Sequence, residues 1–201
     1  MKELIRLVLV LTAITVVAGL ILSLVEGRTR EPIAHQRRLQ TLKAIKSVLP
    51  TIDNDPAADA VALDIGKNRK GQMVKRTFYR GEKEGKLVGV AFKVVSTEGY
   101  GGDIEIMVGV HPDGVVTGIE ILSNSETPGL GAKITQPRFK DQFQGKSLKN
   151  ADWRVKKDGG QFDQLTGATI SPRAVVKAIK KGLEFYRDHR SRILATGESK
   201  G

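Results

Sequence analysis

Two short runs carry side chains whose types and spacing could do chemistry. The first is Thr166-Gly167-Ala168-Thr169, with Asp163 upstream and Ile170-Ser171-Pro172 following. Its small residues make a tight turn that presents a hydroxyl just before a helix begins. Hydroxyl side chains at such places commonly accept backbone N–H groups as helix caps. Ser171 is placed for that, with Pro172 at the first helical position. The free N–H groups and positive dipole end of a helix start also favour phosphate. A phosphate esterified to Thr169 would lie near those donors, and Gly167 and Ala168 would let a bulky group or a second protein approach. The other run is Glu126-Thr127-Pro128-Gly129-Leu130-Gly131. Pro128 fixes one backbone dihedral there, while Gly129 and Gly131 open conformations closed to other residues.

The rest of the composition narrows the chemistry. The 201 residues include no cysteine, which excludes disulfides, thiolate nucleophiles and cysteine-held zinc or iron–sulfur clusters within this chain. His35, His111 and His189 share no metal-ligand spacing, so no metal site is expected. Redox chemistry would have to come from an organic cofactor or from neighbours. The net charge is +11, enough to draw in nucleic acid or acidic lipid headgroups. A membrane-tethered basic binding module is therefore the rival reading from another class. Aromatics make up only 5%, and basic pairs such as Lys156-Lys157 and Lys180-Lys181 read as solvated faces. Without a stacking platform, nucleic acid is not expected as a partner.

The elements that must position the two runs read as an α+β domain: an antiparallel sheet with packed helices, preceded by one N-terminal transmembrane helix. Residues 31–49 have apolar spacing close to helical and stop at Pro50. Residues 51–70 read as a loop with at most a short element. Strands are expected at 77–79 and 87–96, joined by a polar turn over 81–85. Residues 103–110 alternate, His111-Pro112-Asp113-Gly114 turns, and 115–122 returns. A short helix opens at Pro137, carries Phe139 and Phe143 and closes near Gly145. The last helix runs from Ser171 to about Arg190, with Val175, Ile179, Leu183 and Tyr186 on one side. His111 is expected as a solvated or turn residue rather than a catalyst, and Trp153 as a core or packing residue, with a place beside a planar cofactor as its alternative.

Residues 7–25 contain no charged side chain. At the helical rise this stretch is about 28 Å long, close to the hydrocarbon thickness of a bilayer. A cleaved signal peptide is the competing reading, but its apolar segment is usually shorter and ends in a small-residue cleavage site. Charge does not fix the orientation. Lys2 and Arg6 precede the span, whereas Arg28, Arg30, Arg37, Arg38, Lys43 and Lys46 follow it. Charge counting leans toward a cytoplasmic body.

Thr166-Gly167-Ala168-Thr169 resembles the flavinylation motif of covalent FMN-binding domains, with Asp163 matching the acidic residue upstream. Glu126-Thr127-Pro128-Gly129-Leu130-Gly131 and Gly99-Tyr100-Gly101-Gly102 are similar to two further loops of that family. Together with one N-terminal span and this length, they resemble the G subunits of Rnf ion-translocating electron-transport complexes. The related C subunits of sodium-pumping NADH:quinone reductases are generally longer. The resemblance implies FMN joined covalently to Thr169 by a phosphoester. Thr166, Gly167, Ala168, Glu126, Thr127, Pro128, Gly129, Leu130, Gly131, Lys133 and Tyr100 would form the rest of the cofactor site, with no catalytic residue of the chain's own. The glycine-rich loop could press against the flat ring. Leu130 would touch its face and Thr127 would donate to a ring oxygen or the ribityl chain. Glu126 would pin the loop, and Lys133 would favour the reduced, anionic flavin.

A threonine hydroxyl with no adjacent base is a poor nucleophile, so the resemblance implies a separate magnesium-dependent flavin transferase that takes FMN from FAD. It also implies an electron-relay subunit of an ion-translocating oxidoreductase between reduced ferredoxin and NAD. Other Rnf subunits and membrane lipid would be the partners. Another extracytoplasmic electron-transfer system, such as an NADH:quinone reductase, is the alternative setting. The family places the flavin domain on the extracytoplasmic side of the cytoplasmic membrane, against the charge count. The expected organisation is an anchor at 1–30, a juxtamembrane helix and connecting segment at 31–75, the covalent FMN-binding domain at 76–195 and a flexible tail at 196–201.

Overall fold

The computed structural model describes residues 1–67, 71 and 73–195. The expected tail, 196–201, lies outside the described residues, as do residues 68–70 and 72 of the connecting segment. The chain divides into two units, Met1–Thr41 and Leu42–Gly201.

Helix α1 (Lys2–Val48) is one helix of 47 residues, with Pro32 inside it. The expected separate helix from residue 31 is therefore a continuation. Proline removes one intrahelical hydrogen bond, but the residues that follow are mostly Ala, Gln, Arg, Leu and Lys, all strong helix formers. Large apolar side chains such as Leu7, Leu11 and Leu24 are exposed along the first half. A soluble helix would bury them, and the length and composition are consistent with a membrane span.

In the second unit, β1 (Ala60–Lys67), β2 (Met73–Lys83), β3 (Lys86–Ser96), β4 (Ile104–Val110) and β5 (Val116–Ser123) form an antiparallel meander in chain order. The expected loop over 51–70 thus contains a strand. β1 starts and ends in small or polar residues and is bulged between Asp64 and Gly66, which hides the alternation. The expected 81–85 turn is also shorter than its composition suggests. Pairing continues through Gly81↔Gly89 and Lys83↔Lys86, leaving Glu84 and Gly85 as a two-residue turn, both at positive φ. That is the hairpin geometry that suits strand twist. The Glu84 N–H donates to Asp53 Oδ2 at 2.7 Å, which supports the uncommon conformation. The turn at 111–114 lies where the sequence predicts it, with the Gly114 N–H bonded to the His111 carbonyl.

One sheet face carries Phe78, Phe92 and Ile106 against helix α3 (Ile170–Leu194), which buries Val175, Ile179, Leu183 and Tyr186. The Phe92 and Tyr186 rings stack with centroids 6.1 Å apart. Helix α2 (Pro137–Lys140) contributes Phe139 to the same core. Phe143, Phe162 and Trp153 extend it, so Trp153 is a core residue, its Nε1–H donating to the Ser147 carbonyl. The opposite face is paved with small residues. Cβ atoms on Gly81 and Gly89 would fall within 3 Å of Leu49. The C-terminal end of α1 lies in that shallow row, with Ile45, Val48 and Leu49 buried against Ala91 and Met107. Residue 48 is anchored by the Thr117 hydroxyl, which donates to the Val48 carbonyl.

Candidate functional site

Two turns of the same kind meet at the start of α3. In Thr127-Pro128-Gly129-Leu130 the Leu130 N–H returns to the Thr127 carbonyl at 3.1 Å, and Gly129 has φ +76°. In Leu165-Thr166-Gly167-Ala168 the Ala168 N–H returns to the Leu165 carbonyl at 3.0 Å, and Gly167 has φ +78°. Each is a type II turn with glycine at the position that requires positive φ, the first with proline ahead of it. The turns touch, since a Cβ on Gly167 would sit 3.2 Å from Leu130 Cδ2.

Glu126 fastens these turns to the scaffold. Its side chain is buried; Oε1 accepts the Gly101 N–H at 3.0 Å and Oε2 accepts the Ser171 hydroxyl. One carboxylate therefore ties the Gly99–Gly102 loop, the 126–131 loop and the first turn of α3 together. The glycines around it are needed for space. A Cβ on Gly131 would fall 2.6 Å from Glu126 Oε2 and 2.5 Å from Ser171 Oγ, and one on Gly99 would fall 2.7 Å from Glu126 Oε1. Two exposed ion pairs brace the start of α3. Arg173 donates twice to Asp158, and Lys177 donates to both oxygens of Glu98, each contact at 2.7 Å. These hydrogen bonds hold the Asp158 and Glu98 carboxyls below the usual carboxylate range.

The turns enclose a cleft of about 400 Å³, within the range of small-molecule sites. Tyr100, Glu126, Thr127, Leu130, Gly131, Gly167, Ala168 and Thr169 line it, so these sequence-derived candidates come together from three separate segments. Thr166, Pro128, Gly129 and Lys133 shape or flank the turns but do not line the cleft. Lys133 lies half-buried in the 3-10 turn Gly131–Thr135. Ile170 and Ser171 also line it, and neither is marked for the site by sequence pattern. Ser171 is not the helix cap that its place before Pro172 suggests. The cap position falls on Thr169, whose side chain makes no capping hydrogen bond, and Ser171 is drawn inward by Glu126. No periodicity in the sequence reports a contact between residues 45 apart. The result is a half-buried Thr169, its hydroxyl not used for capping, at a helix start where the Ile170 and Ser171 N–H groups have no helical partner and Pro172 has no N–H.

Outside the α1 span, Tyr100, Leu130 and Ile170 are among the few exposed large apolar side chains of the described residues, at 72%, 44% and 45% exposure. All three line the cleft. The site thus offers apolar walls for a flat ring system and, beside a hydroxyl, a helix start with the Ile170 and Ser171 N–H groups. FMN combines an aromatic ring and a phosphate, and the lining fits both.

Residues 99–184 match the family described as an FMN-binding domain. Over 191 residues the chain is 40% identical to the G subunit of the ion-translocating oxidoreductase complex of Aliivibrio fischeri, covering 92% of this chain and 91% of that one. The corresponding protein of Cereibacter sphaeroides is 39% identical over 197 residues, covering 93% and 86%. Among solved structures, the NqrC protein of Shewanella oneidensis superposes with a TM-score of 0.53 at 23% identity, over 72% of this chain and 76% of that chain. The C subunit of the Na(+)-translocating NADH-quinone reductase of Parabacteroides distasonis gives 0.57 at 18% identity, over 85% and 98%. These two likenesses bear on the fold.

Proposed function

The chain belongs to the G-subunit family of the ion-translocating oxidoreductase complex, and from that premise we propose that it relays electrons through FMN esterified to Thr169. The observation that carries the reading is the Thr169 hydroxyl: it lines the cleft, is free of a capping role and stands at the helix start. The phosphoester would lie against the Ile170 and Ser171 N–H groups of α3, where the helix dipole favours its charge. Leu130, Ile170 and Tyr100 would flank the ring, and Thr127 would bond the ring edge or ribityl chain. Gly129 and Pro128 fix the turn that carries Leu130, while Thr166 and Gly167 fix the turn that presents Thr169.

Bound FMN supplies the redox chemistry, and the chain supplies position and electrostatics. The cleft is open, so electrons can pass at the ring edge without a deep substrate pocket. Attachment calls for an enzyme to reach the turn, because no base among the described residues hydrogen-bonds the Thr169 hydroxyl to activate it. A flavin transferase acting from FAD fits this need, and the exposed turn around Gly167 leaves it room. In the complex the chain would stand between reduced ferredoxin and NAD, beside the other subunits. Its α1 segment would be anchored in lipid, with the flavin domain on the extracytoplasmic side.

Intact-mass measurement of full-length protein co-expressed with a flavin transferase tests the assignment. The wild type gains one esterified FMN, peptide mapping puts it on Thr169, and Thr169→Ala loses the gain while melting like the wild type. An FMN mass gain retained in Thr169→Ala would reject the assignment. A reporter fused at the C-terminus and active only in the cytoplasm would overturn the orientation.

A further inference from the structure

We infer that the Glu126 carboxylate holds the reduction potential of the bound flavin down by opposing the negative charge that reduction adds. The inference rests on FMN occupying the cleft as proposed above. Glu126 is 5% exposed and is the one buried acidic side chain among the described residues. Among those residues it has no ion-pair partner. The first two cations of α3, Arg173 and Lys177, are committed to Asp158 and Glu98, and Lys133 does not line the cleft.

Pinning the three segments does not require this charge. A glutamine of the same shape would accept the Gly101 N–H through its oxygen and donate to Ser171 Oγ through its amide. Burying a carboxylate without a cation is costly, and among the described residues only the positive end of α3 and two donors offset it. The charge is therefore more than the pin needs, and the side chain that bears it lines the cleft.

Uptake of two electrons and one proton by the isoalloxazine leaves it with one added negative charge. In the membrane those electrons come from the upstream redox subunits of the complex. A carboxylate on the cleft wall disfavours that product, so the flavin is a stronger reductant than it would be beside a neutral wall.

The test uses full-length protein in detergent, co-expressed with the transferase, as wild type, Glu126→Gln and Glu126→Asp. Intact mass comes first. A wild type without the FMN gain overturns the functional reading itself. Potentials are then read by titration with dithionite, which gives up the two electrons as it is oxidised to sulfite. At the wild-type midpoint, Glu126→Gln is expected to favour the reduced form by about tenfold, the order of one charge about 12 Å from the added charge in an effective dielectric near 20. That equals a positive shift of about 30 mV for a two-electron couple. Glu126→Asp, which keeps the charge, stays near the wild type. An unchanged or more negative Gln potential overturns the inference, as do equal shifts in Gln and Asp. A folded Gln protein that lacks the FMN gain also overturns it, by assigning the carboxylate to attachment. So does a Gln protein without cooperative melting, which would place the charge in service of the fold.

Discussion

Helix α3 is held at its N-terminal end by Glu126, which accepts from the Ser171 hydroxyl, and at its C-terminal end by Arg80, whose guanidinium donates to the Ala195 carbonyl. Both side chains are buried, and each has the sign that the local end of the helix dipole favours. They differ in what balances them. Arg80 is closed by Asp59, with Nε to Oδ2 at 2.8 Å and a second bond to Oδ1. That pairing holds the guanidinium firmly in its charged form. Glu126 has donors but no counter-ion among the described residues, and its open side is the cleft. A helix end that only needs to stay in place has its charge neutralised. The end that carries Thr169 keeps its charge available to whatever binds.

The sharpest way to break this comparison is to remove the closed grip. Arg80→Met strands Asp59 and the last carbonyls of α3. It should cost about 3 kcal/mol, because three charge-assisted hydrogen bonds are lost together, although Asp59 is partly exposed and can be rehydrated. The denaturant midpoint of the full-length protein measures the loss, while the FMN mass gain per folded molecule stays at the wild-type level. Equal loss of flavin and stability would mean that the two ends are not separable.

At the open end, Gly131→Ala pushes a methyl group against Glu126 and Ser171. Overpacking of this kind costs about 2 kcal/mol. Here the loss of stability should come with a lower yield of flavin attachment, because the strain falls on the turn beside Thr169. A variant that is destabilised but fully flavinylated would show that the pin and the attachment site move independently.

The sequence made the α3 and β4–β5 elements legible because their apolar periods are long and unbroken. It also pointed to the two turns that meet at the cleft, because glycine and proline at fixed offsets leave few backbone choices. It did not reveal β1, whose bulge at Asp64 and Gly66 breaks the alternation. Nor did it reveal that α1 runs through Pro32, since the residues beyond the proline outweigh one lost hydrogen bond. The cap falls on Thr169 rather than Ser171 for a tertiary reason. A hydroxyl two positions into a helix is equally suited to capping or to an outside acceptor, and only the fold brings Glu126 to it. The Arg80 grip was illegible for the same reason: Asp59 and Ala195 come to Arg80 from distant points in the chain.

A third grip lies between the two ends and carries no charge at neutral pH. The Tyr186 hydroxyl donates to the Pro112 carbonyl at 3.0 Å, and burial pushes its pKa up to about 12. Tyr186→Phe should cost about 1 kcal/mol near pH 7, the net worth of one hydrogen bond. The pH dependence separates this grip from the charged ones. The unfolded tyrosine ionises near pH 10, whereas the folded one keeps its proton to about pH 12. Between those values the unfolded state binds fewer protons, so stability falls as pH rises. The contribution is whole below pH 10 and is lost through pH 12, on the order of 2 kcal/mol. Groups common to both proteins cancel in the difference. Denaturant midpoints at pH 8 and pH 11.5 should therefore converge or cross, with the wild type losing its advantage over Tyr186→Phe. Two midpoints that fall in parallel would mean that Tyr186 is not held neutral by the fold.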